Sequence, residues 1–236
     1  MNFSHRSNEK EIMDDGIISQ EQWELFIKDL AWINRYLINP RSFTNAIKSI
    51  YKHSSSISQP ITLTELACGG GDTLHSIALW AENKKLSIHF TGYDINPVFI
   101  HYANHAMTKN LPIKFEKQDV LSPDFSNKTF DIIICSLFCH HLTDKQLVAF
   151  FQQAYQQARL GIIINDLHRH WLAHLGFNII AFLKRFSPMV RNDGLVSIRR
   201  GFIKQEIISL LQQVGITNYK IKWCFPFYFN VIIYKK

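Results

Sequence analysis

A run of three glycines is the feature of this chain most able to do chemistry, because it lets a small ligand approach bare backbone. Gly69, Gly70 and Gly71 follow residues 61–64, which predict a strand, and precede residues 73–80, whose apolar spacing predicts a helix. Glycine adopts backbone angles that other residues avoid and has no side chain to hold a ligand away. The following helix presents unpaired N–H groups to whatever lies in the turn. This layout predicts a site for a nucleotide-like cofactor.

Acidic residues follow the next two predicted strands. Asp94 ends the second strand and lies roughly 20 residues beyond Gly71, the separation typical of an acid that binds ribose hydroxyls. An ionised carboxylate only accepts hydrogen bonds, so it can take two hydroxyl protons. Asp119 follows the third strand, where it could accept a hydrogen bond from an adenine amino group. Three successive strands therefore end in a glycine turn or an acid.

Strand and helix signals alternate along the chain that positions these residues. The predicted strands cover residues 61–68, 87–93, 113–117, 130–135 and 160–165, with helices at 73–83, 97–110 and 144–158. Alternation of this kind requires parallel strands joined by crossover helices, with ligands bound beyond the carboxyl ends of the strands. Two further strands, at 217–223 and 228–234, predict a closing hairpin. The expected fold class is α/β: a doubly wound, Rossmann-like, mostly parallel seven-stranded sheet with a C-terminal antiparallel hairpin.

Two regions stand outside the alternation. Residues 1–58 are expected to form an N-terminal arm and helical cap, with a loose arm first and then an amphipathic helix that Ser19 and Gln22 begin with a capping box. Residues 59–236 are expected to form the main domain, interrupted at about 167–201 by a helical insertion. The cap helices and the insertion are expected to roof the ends of the strands.

Composition limits the classes of function. Of the 236 residues, 47% are hydrophobic, which is ordinary for one globular core. The four cysteines show no paired secretory framework and the N-terminus has no apolar signal region, so a cytoplasmic location is expected. The net charge of +7 is spread thinly without a dense basic run, so no nucleic-acid partner is expected. The apolar stretches are too short to span a bilayer, although weak contact with a membrane surface is left open.

At this point the chain resembles the class I S-adenosylmethionine-dependent methyltransferases, over about residues 61–236. The run from Glu65 to Gly71 looks like the first motif of that family, Asp94 matches its ribose acid and Asp119 its adenine acid. The resemblance implies S-adenosyl-L-methionine as cofactor, S-adenosyl-L-homocysteine as product, and cofactor contacts from Glu65, Ala67, Cys68, Gly69, Gly71, Asp94, Ile95, Asp119, Val120 and Ser136. Ala67 stands where the family usually has glycine; its added methyl group is tolerable if the backbone φ there is negative, so it weakens the match only slightly.

The main rival is an NAD(P)-dependent Rossmann reductase. The dinucleotide fingerprint would need glycine or alanine at position 74, and Leu74 opposes the close packing of helix on strand that a small residue permits there. No Tyr-x-x-x-Lys pair occurs either. A metal site is not predicted, because the Cys and His clusters lack both Cys-x-x-Cys and His-Glu-x-x-His spacing.

Histidines after the fourth and fifth strands are the candidates for catalysis. A base is needed only when the acceptor must lose a proton, as a hydroxyl does. His140 and His141 follow the fourth strand, and His168 follows the fifth and is expected to face the same cleft; His168 and His141 are the preferred pair. The predicted function is methyl transfer, preferentially to oxygen, with a small aromatic or lipophilic molecule as acceptor.

Aromatic residues of the cap and insertion favour an apolar acceptor pocket. They are Trp23, Phe26, Trp32, Trp171, Phe177, Phe182 and Phe186. Two alternatives stay open. One is a protein that binds S-adenosylmethionine without catalysis; the other is a nucleic-acid methyltransferase, disfavoured because residues 131–137 lack an Asn/Asp-Pro-Pro-aromatic motif.

Overall fold

A seven-stranded sheet forms the centre of the protein. The computed structural model describes residues 3–15, 18–54, 60–108 and 111–235. The strands run in the order β3-β2-β1-β4-β5-β7-β6. Their bounds are Ile61–Leu66 (β1), Ile88–Asp94 (β2), Ile113–Lys117 (β3), Phe130–Ser136 (β4), Ala158–Leu167 (β5), Tyr219–Cys224 (β6) and Tyr228–Tyr234 (β7). The predicted fold class is confirmed.

The pairing follows from the sequence pattern. Strands β1 to β5 are parallel, whereas β7 pairs antiparallel with both β5 and β6. Ile132, Ile133 and Ile134 in the middle of β4 are fully buried, as expected for a parallel strand covered on both faces. The order reverses at β1 and β4, so their carboxyl ends flank the crevice where such sheets bind ligands.

Helices cover both faces of the sheet. One face packs against α3 (Pro40–His53), α4 (Asp72–Asn83) and α5 (Pro97–Ala106), and the other against α6 (Asp144–Gln157) and α9 (Lys204–Gln213). The second N-terminal helix, α3, therefore belongs to the sheet layer: Ile47 is fully buried, and Ser49 Oγ lies 2.8 Å from the Tyr234 hydroxyl.

Three other helices form a cap over the carboxyl ends of the strands. They are α2 (Gln20–Leu37), α7 (Trp171–Lys184) and α8 (Pro188–Arg200), which share a separate apolar cluster that includes Phe26, Ala181 and Val190. Ser19 and Gln22 form the predicted capping box. The predicted domain boundary at residues 58 and 59 lies outside the described residues. Within the described parts of the chain, no helix has the length and apolar character to cross a membrane.

The N-terminal segment is docked, contrary to the expectation of a loose arm. Arg6 donates hydrogen bonds to Asp144 Oδ1 and to the carbonyl of Leu142, both at 2.8 Å. The short helix α1 (Ile12–Asp15) begins at the Asp193 carboxylate of α8, which accepts from the N–H of Ile12 (2.8 Å) and of Met13 (3.1 Å). Specific polar contacts, which hydrophobic periodicity does not register, therefore hold this segment on α8.

Glu11 of this segment is buried at the cap. Its Oε1 accepts a hydrogen bond of 2.7 Å from Ser197 Oγ. Burial raises the pKa of Glu11 from 4.5 to about 7, against the opposing charge of His141. The folded state therefore holds a proton on Glu11 at pH values where the unfolded chain has lost it.

A second buried ionic group anchors the start of the cap. Arg169 is fully buried and forms a two-pronged pair with Glu206, at 2.9 and 2.6 Å. It also donates to the carbonyls of Gly201 and Phe3, at 2.6 and 2.9 Å. One guanidinium thus joins the N-terminal segment, the end of α8 and the first turn of α9.

Glu11→Gln should remove the pH dependence of the docking of residues 6–13. Because the folded pKa is raised, stability falls as pH rises from about 4.5 to 7 in the natural protein. The neutral glutamine still accepts from Ser197, so the variant should hold the segment more tightly at pH 8, by up to about 3 kcal/mol. Protection of these backbone amides from hydrogen exchange, compared at pH 5 and pH 8, measures this; equal pH dependence in both proteins would contradict it.

Glu206→Gln should lower the free energy of unfolding by about 2 kcal/mol, because it leaves the buried Arg169 charge without its carboxylate. Glu82→Gln on the exposed side of α4 is the matched control and should change stability by less than about 0.5 kcal/mol. Urea unfolding of the three proteins measures the difference, and equal midpoints would contradict the role of the pair.

Candidate functional site

A cavity of about 990 Å³ opens between the carboxyl ends of the strands and the cap. Its floor is the glycine turn, the ends of β2 and β4, and the segment after β3. Its walls come from α2, α7 and α8, together with α1 and the turn between β6 and β7. The cavity lies at the crevice that the strand order predicts.

The glycine turn is a chain of left-handed backbone conformations. Ala67, Gly69 and Gly71 have φ of +54°, +51° and +83°. The condition under which alanine is easily tolerated at position 67, a negative φ, is therefore not met: this alanine occupies a conformation that normally favours glycine, and it carries the strain of its Cβ. A Cβ on Gly69 would meet nothing within 4 Å, whereas one on Gly71 would lie 2.6 Å from Phe115 Cζ. Gly69 thus leaves space free, and Gly71 is needed for packing.

Asp94 holds this turn from the neighbouring strand. The N–H of Gly69 donates to its Oδ2 and the N–H of Asn96 to its Oδ1, both at 2.8 Å. Burial raises the pKa of Asp94 in spite of these two bonds. Each carboxylate oxygen keeps a free lone pair, so the group can still accept from hydroxyls in the cavity.

Glu65 at the end of β1 is more deeply buried. Its burial and the nearby charge of Asp72 raise the pKa of Glu65 well above its usual range. Its Oε2 and the Oγ of Ser136, which ends β4, are buried and have no hydrogen-bond partner within the described protein. Unpaired polar atoms beside the space left by Gly69 fit a polar ligand that supplies their partners.

Most residues predicted to bind the cofactor line the cavity. Asp119 Oδ1 accepts from the N–H of Leu121 (2.8 Å), which fixes the loop after β3, and Ile95 is 62% exposed beside Asp94. The lining residues from the predicted set are Glu65, Ala67, Cys68, Gly69, Asp94, Ile95, Asp119, Val120 and Ser136. Gly71 is not among them: it precedes α4 and packs against Phe115 of β3.

His140 reaches the cavity wall as part of a buried pair. Its Nδ1 lies 2.7 Å from Asp166 Oδ1, and its backbone N–H donates to Asp166 Oδ2 at 3.3 Å. Burial alone would raise the pKa of Asp166, but the adjacent imidazole holds it below its usual range. The carboxylate therefore fixes the orientation of the ring and turns its Nε2 away from the sheet, where Glu11 Oε1 lies at 3.7 Å.

His141 lies beside this pair and also lines the cavity. Its Nδ1 is 3.5 Å from Asp14 Oδ2 and 3.8 Å from Glu11 Oε1, and its ring centroid is 4.3 Å from that of His140. Within the described residues, Glu11, His140 and His141 are the set of His, Cys and acidic side chains close enough to share a metal ion. The Asp14 carboxylate brings negative charge to the imidazole pair, and Glu11 does so once it has lost its proton.

His168 does not line the cavity, contrary to the expectation from its position after β5. Its Nδ1 accepts a hydrogen bond from Trp223 Nε1 (3.1 Å), and its ring packs edge-on to Phe229 at 4.8 Å. Burial lowers the pKa of His168, next to the charges of His170 and Arg169. The chain turns at Leu167 so that this residue, and not His168, lines the cavity.

The roof of the cavity is apolar, but only some of the aromatic residues expected there line it. Phe26 and Phe177 line it, whereas Trp171 and Phe182 are exposed on the outer side of α7. Trp23, Trp32 and Phe186 pack in the apolar cluster of the cap.

Sequence reasoning missed two residues at this site. Asp166 ends β5 as Asp94 ends β2, so the same strand-end pattern could have identified it. Glu11 carries no signal in the sequence, because only the docking of the N-terminal segment brings it to His140.

Comparisons with known proteins agree with this geometry. Residues 64–161 match the family model described as a methyltransferase domain. No curated protein matches the chain. Among solved structures, the plantazolicin methyltransferase BpumL, in complex with a triazolic desmethylPZN analog and SAH, superposes with a TM-score of 0.68 at 16% identity, covering 92% of each chain.

Two other structures have the same fold. The human N-acetylserotonin methyltransferase in complex with SAM superposes with a TM-score of 0.64 at 16% identity, covering 92% of this chain and 56% of the other. A SAM-dependent methyltransferase from Aquifex aeolicus gives a TM-score of 0.59 at 15% identity, covering 85% and 92%. The methyltransferase domain matched over residues 64–161 and the fold shared with these structures agree with the resemblance seen in the sequence.

Proposed function

We propose that this enzyme methylates a hydroxyl group of a small apolar acceptor and that His140, oriented by Asp166, accepts the hydroxyl proton. The observation that carries the proposal is the buried contact of 2.7 Å between His140 Nδ1 and Asp166 Oδ1 at the cavity wall. S-adenosylmethionine supplies an electrophilic methyl group on a sulfonium when it is bound. Positioning of the acceptor and removal of its proton depend on side chains of this protein.

The cofactor fits the floor of the cavity. Asp94 has lone pairs free for ribose hydroxyls, and Asp119 flanks the loop where the family resemblance places adenine. Glu65 has an unpaired buried oxygen, and the ammonium group of a bound amino acid would favour its charged form. We assign to Gly69 the space for backbone approach, and to Gly71 a packing role.

The acceptor is proposed to lie under the roof formed by α2, α7 and α8. Apolar side chains supply most of that wall, and they exclude water from the reacting groups. The lining residues of the roof include Phe26, Leu30, Ile33, Leu37, Leu172, Phe177, Ile180, Val190 and Ile198. An aromatic or lipophilic molecule with one hydroxyl group suits such a wall.

The protein's part in the reaction is to position the acceptor and to remove a proton. The cavity walls would hold the acceptor hydroxyl against the methyl donor, and His140 Nε2 would take the hydroxyl proton as the oxygen is methylated. Asp166 stabilises the resulting imidazolium, as a carboxylate does when it accepts from the other ring nitrogen. Glu11 would stabilise the same charge in its ionised form, above its raised pKa of about 7.

Asp94→Asn should weaken the binding of S-adenosylhomocysteine by at least about tenfold, because an amide loses the charge and presents an NH2 group to the backbone N–H donors. Asp124→Asn, on an exposed turn, is the matched control and should bind as the natural protein does. Calorimetric titration measures both, and an unchanged dissociation constant for the Asp94 variant would remove its assigned role.

His140→Ala and Asp166→Asn should lower kcat by about 10²- to 10⁴-fold with little effect on cofactor affinity. His168→Ala is the control, since that ring lies outside the cavity lining and should leave kcat nearly unchanged. Turnover on a panel of phenols and quinols, together with the rise in Tm on adding S-adenosylhomocysteine, separates chemistry from folding. Equal losses in the His140 and His168 variants would contradict the assignment.

Two other outcomes of the same assay have clear meanings. If the natural protein binds the cofactor but methylates no member of the panel, the result favours the alternative of a protein that binds S-adenosylmethionine without catalysis. If a chelator abolishes turnover and added zinc restores it, Glu11, His140 and His141 hold a metal ion and His140 is not the base.

A further inference from the structure

The outer side of α7 carries a continuous apolar ridge. Its six members are exposed, and Phe182 and Leu183 are 69% and 71% exposed. At the helical spacing of about 100° per residue, all six fall within about 120° of the helix surface. We call this set the α7 ridge: Trp171, Leu172, Leu175, Ile179, Phe182 and Leu183. Soluble proteins leave single apolar residues exposed without consequence, but a ridge of this size marks an interaction site.

The charges carried by α7 and the residues that flank it in the chain are of one sign. Residues 167–192 contain no Asp or Glu, and Lys184 and Arg185 follow directly after Leu183. Arg191 of α8 donates to Asn178 Oδ1 of α7, at 3.2 and 3.0 Å, which places its guanidinium beside the ridge. An apolar surface with a cationic border and no acid of its own is complementary to an apolar surface with an anionic border.

The β6–β7 hairpin extends the same surface. The His170 ring stacks on Trp171 and on Phe227, with centroids 6.0 and 5.3 Å apart, and Trp223 meets Phe227 edge-on at 5.8 Å. Phe225, at the hairpin turn, is 75% exposed. Residues 207–236 also lack Asp and Glu, while the hairpin carries exposed Lys220 and Lys222. Exposed tryptophan is typical of proteins that lie at the membrane interface.

The surface adjoins the cavity. Leu172 belongs to the ridge and also lines the cavity. Phe225 of the hairpin turn is likewise both exposed and part of the cavity lining. Gly176 and Ile180, one step around α7 from the ridge, line the cavity as well. An apolar molecule could therefore pass between this surface and the cavity along one side of a single helix.

We propose that the α7 ridge and the hairpin turn bind the surface of an anionic lipid bilayer, with α7 lying along the interface and the cavity open toward the lipid. Binding of this kind needs apolar area and cationic attraction together, and both are present. Delivery of an apolar acceptor from the bilayer rests on the proposed function, whereas binding to the bilayer does not. A second copy of the chain is the competing occupant, but two such surfaces would bring their cations together.

Sedimentation with vesicles tests the proposal without cofactor or acceptor. The natural protein should bind vesicles of equimolar phosphatidylcholine and phosphatidylglycerol, and bind pure phosphatidylcholine more weakly. Phe182→Ser with Leu183→Ser should lower the partition coefficient by at least about tenfold, because two large apolar side chains no longer enter the bilayer. Lys184→Gln with Arg185→Gln should remove most of the preference for the anionic vesicles, as should high salt.

Leu79→Ser on α4 is the matched control, since Leu79 is an exposed apolar residue outside the ridge and should not affect vesicle binding. All variants should keep the natural rise in Tm with S-adenosylhomocysteine, which shows that they fold. Absence of vesicle binding by the natural protein would overturn the proposal. So would a dimer in analytical ultracentrifugation that the Phe182 and Leu183 changes dissociate, because the ridge would then be an interface between copies. Failure of methyl transfer alone would leave the vesicle result unchanged and count only against the proposed function.

Discussion

The Asp94 carboxylate joins the two loops on which the cofactor site depends. It accepts from Gly69 in the turn after β1 and from Asn96 in the turn after β2. The turn after β1 holds three residues with positive φ, one of them an alanine, so it stores strain that its surroundings must offset. A backbone bond of 2.9 Å from the N–H of Cys68 to the Tyr93 carbonyl supports it from the same strand. The shape of the cavity floor thus rests on a buried charge at the end of β2.

Three buried carboxylates near strand ends make up much of this site. Glu65, Asp94 and Asp166 end β1, β2 and β5, and each is almost fully buried. Burial disfavours a charged carboxylate unless hydrogen bonds or an opposite charge compensate. Asp94 has two backbone donors and Asp166 has His140, but Glu65 keeps an unpaired oxygen. Glu65 lines the cavity, where a bound ligand would supply the missing hydrogen-bond partner.

Periodicity predicted the sheet, and the family resemblance named residues most of which line the cavity, because both depend on local sequence. Alternating strands and helices leave only a few topologies open, and in each of them acids after parallel strands meet at one edge of the sheet. Leu74, which argued against a dinucleotide, is fully buried at the start of α4. The φ of Ala67 and the place of His168 could not be predicted, because each depends on how one residue turns at the end of a strand. Glu11 depends on contacts with α8 across a sequence separation of 186 residues.

The failure to predict which aromatic residues line the cavity has a physical cause in α7. Phe177 faces inward and Phe182 outward, although both are large and apolar, because this helix is apolar around almost its whole circumference. A helix of that composition is stable when both of its sides meet apolar surroundings. In this fold α8 and the cavity cover one side, and no described part of the chain covers the other. The same composition that makes the roof of the cavity apolar therefore leaves an apolar ridge on its outer surface. The acceptor pocket and the bilayer-binding surface that we propose would thus arise from one helix.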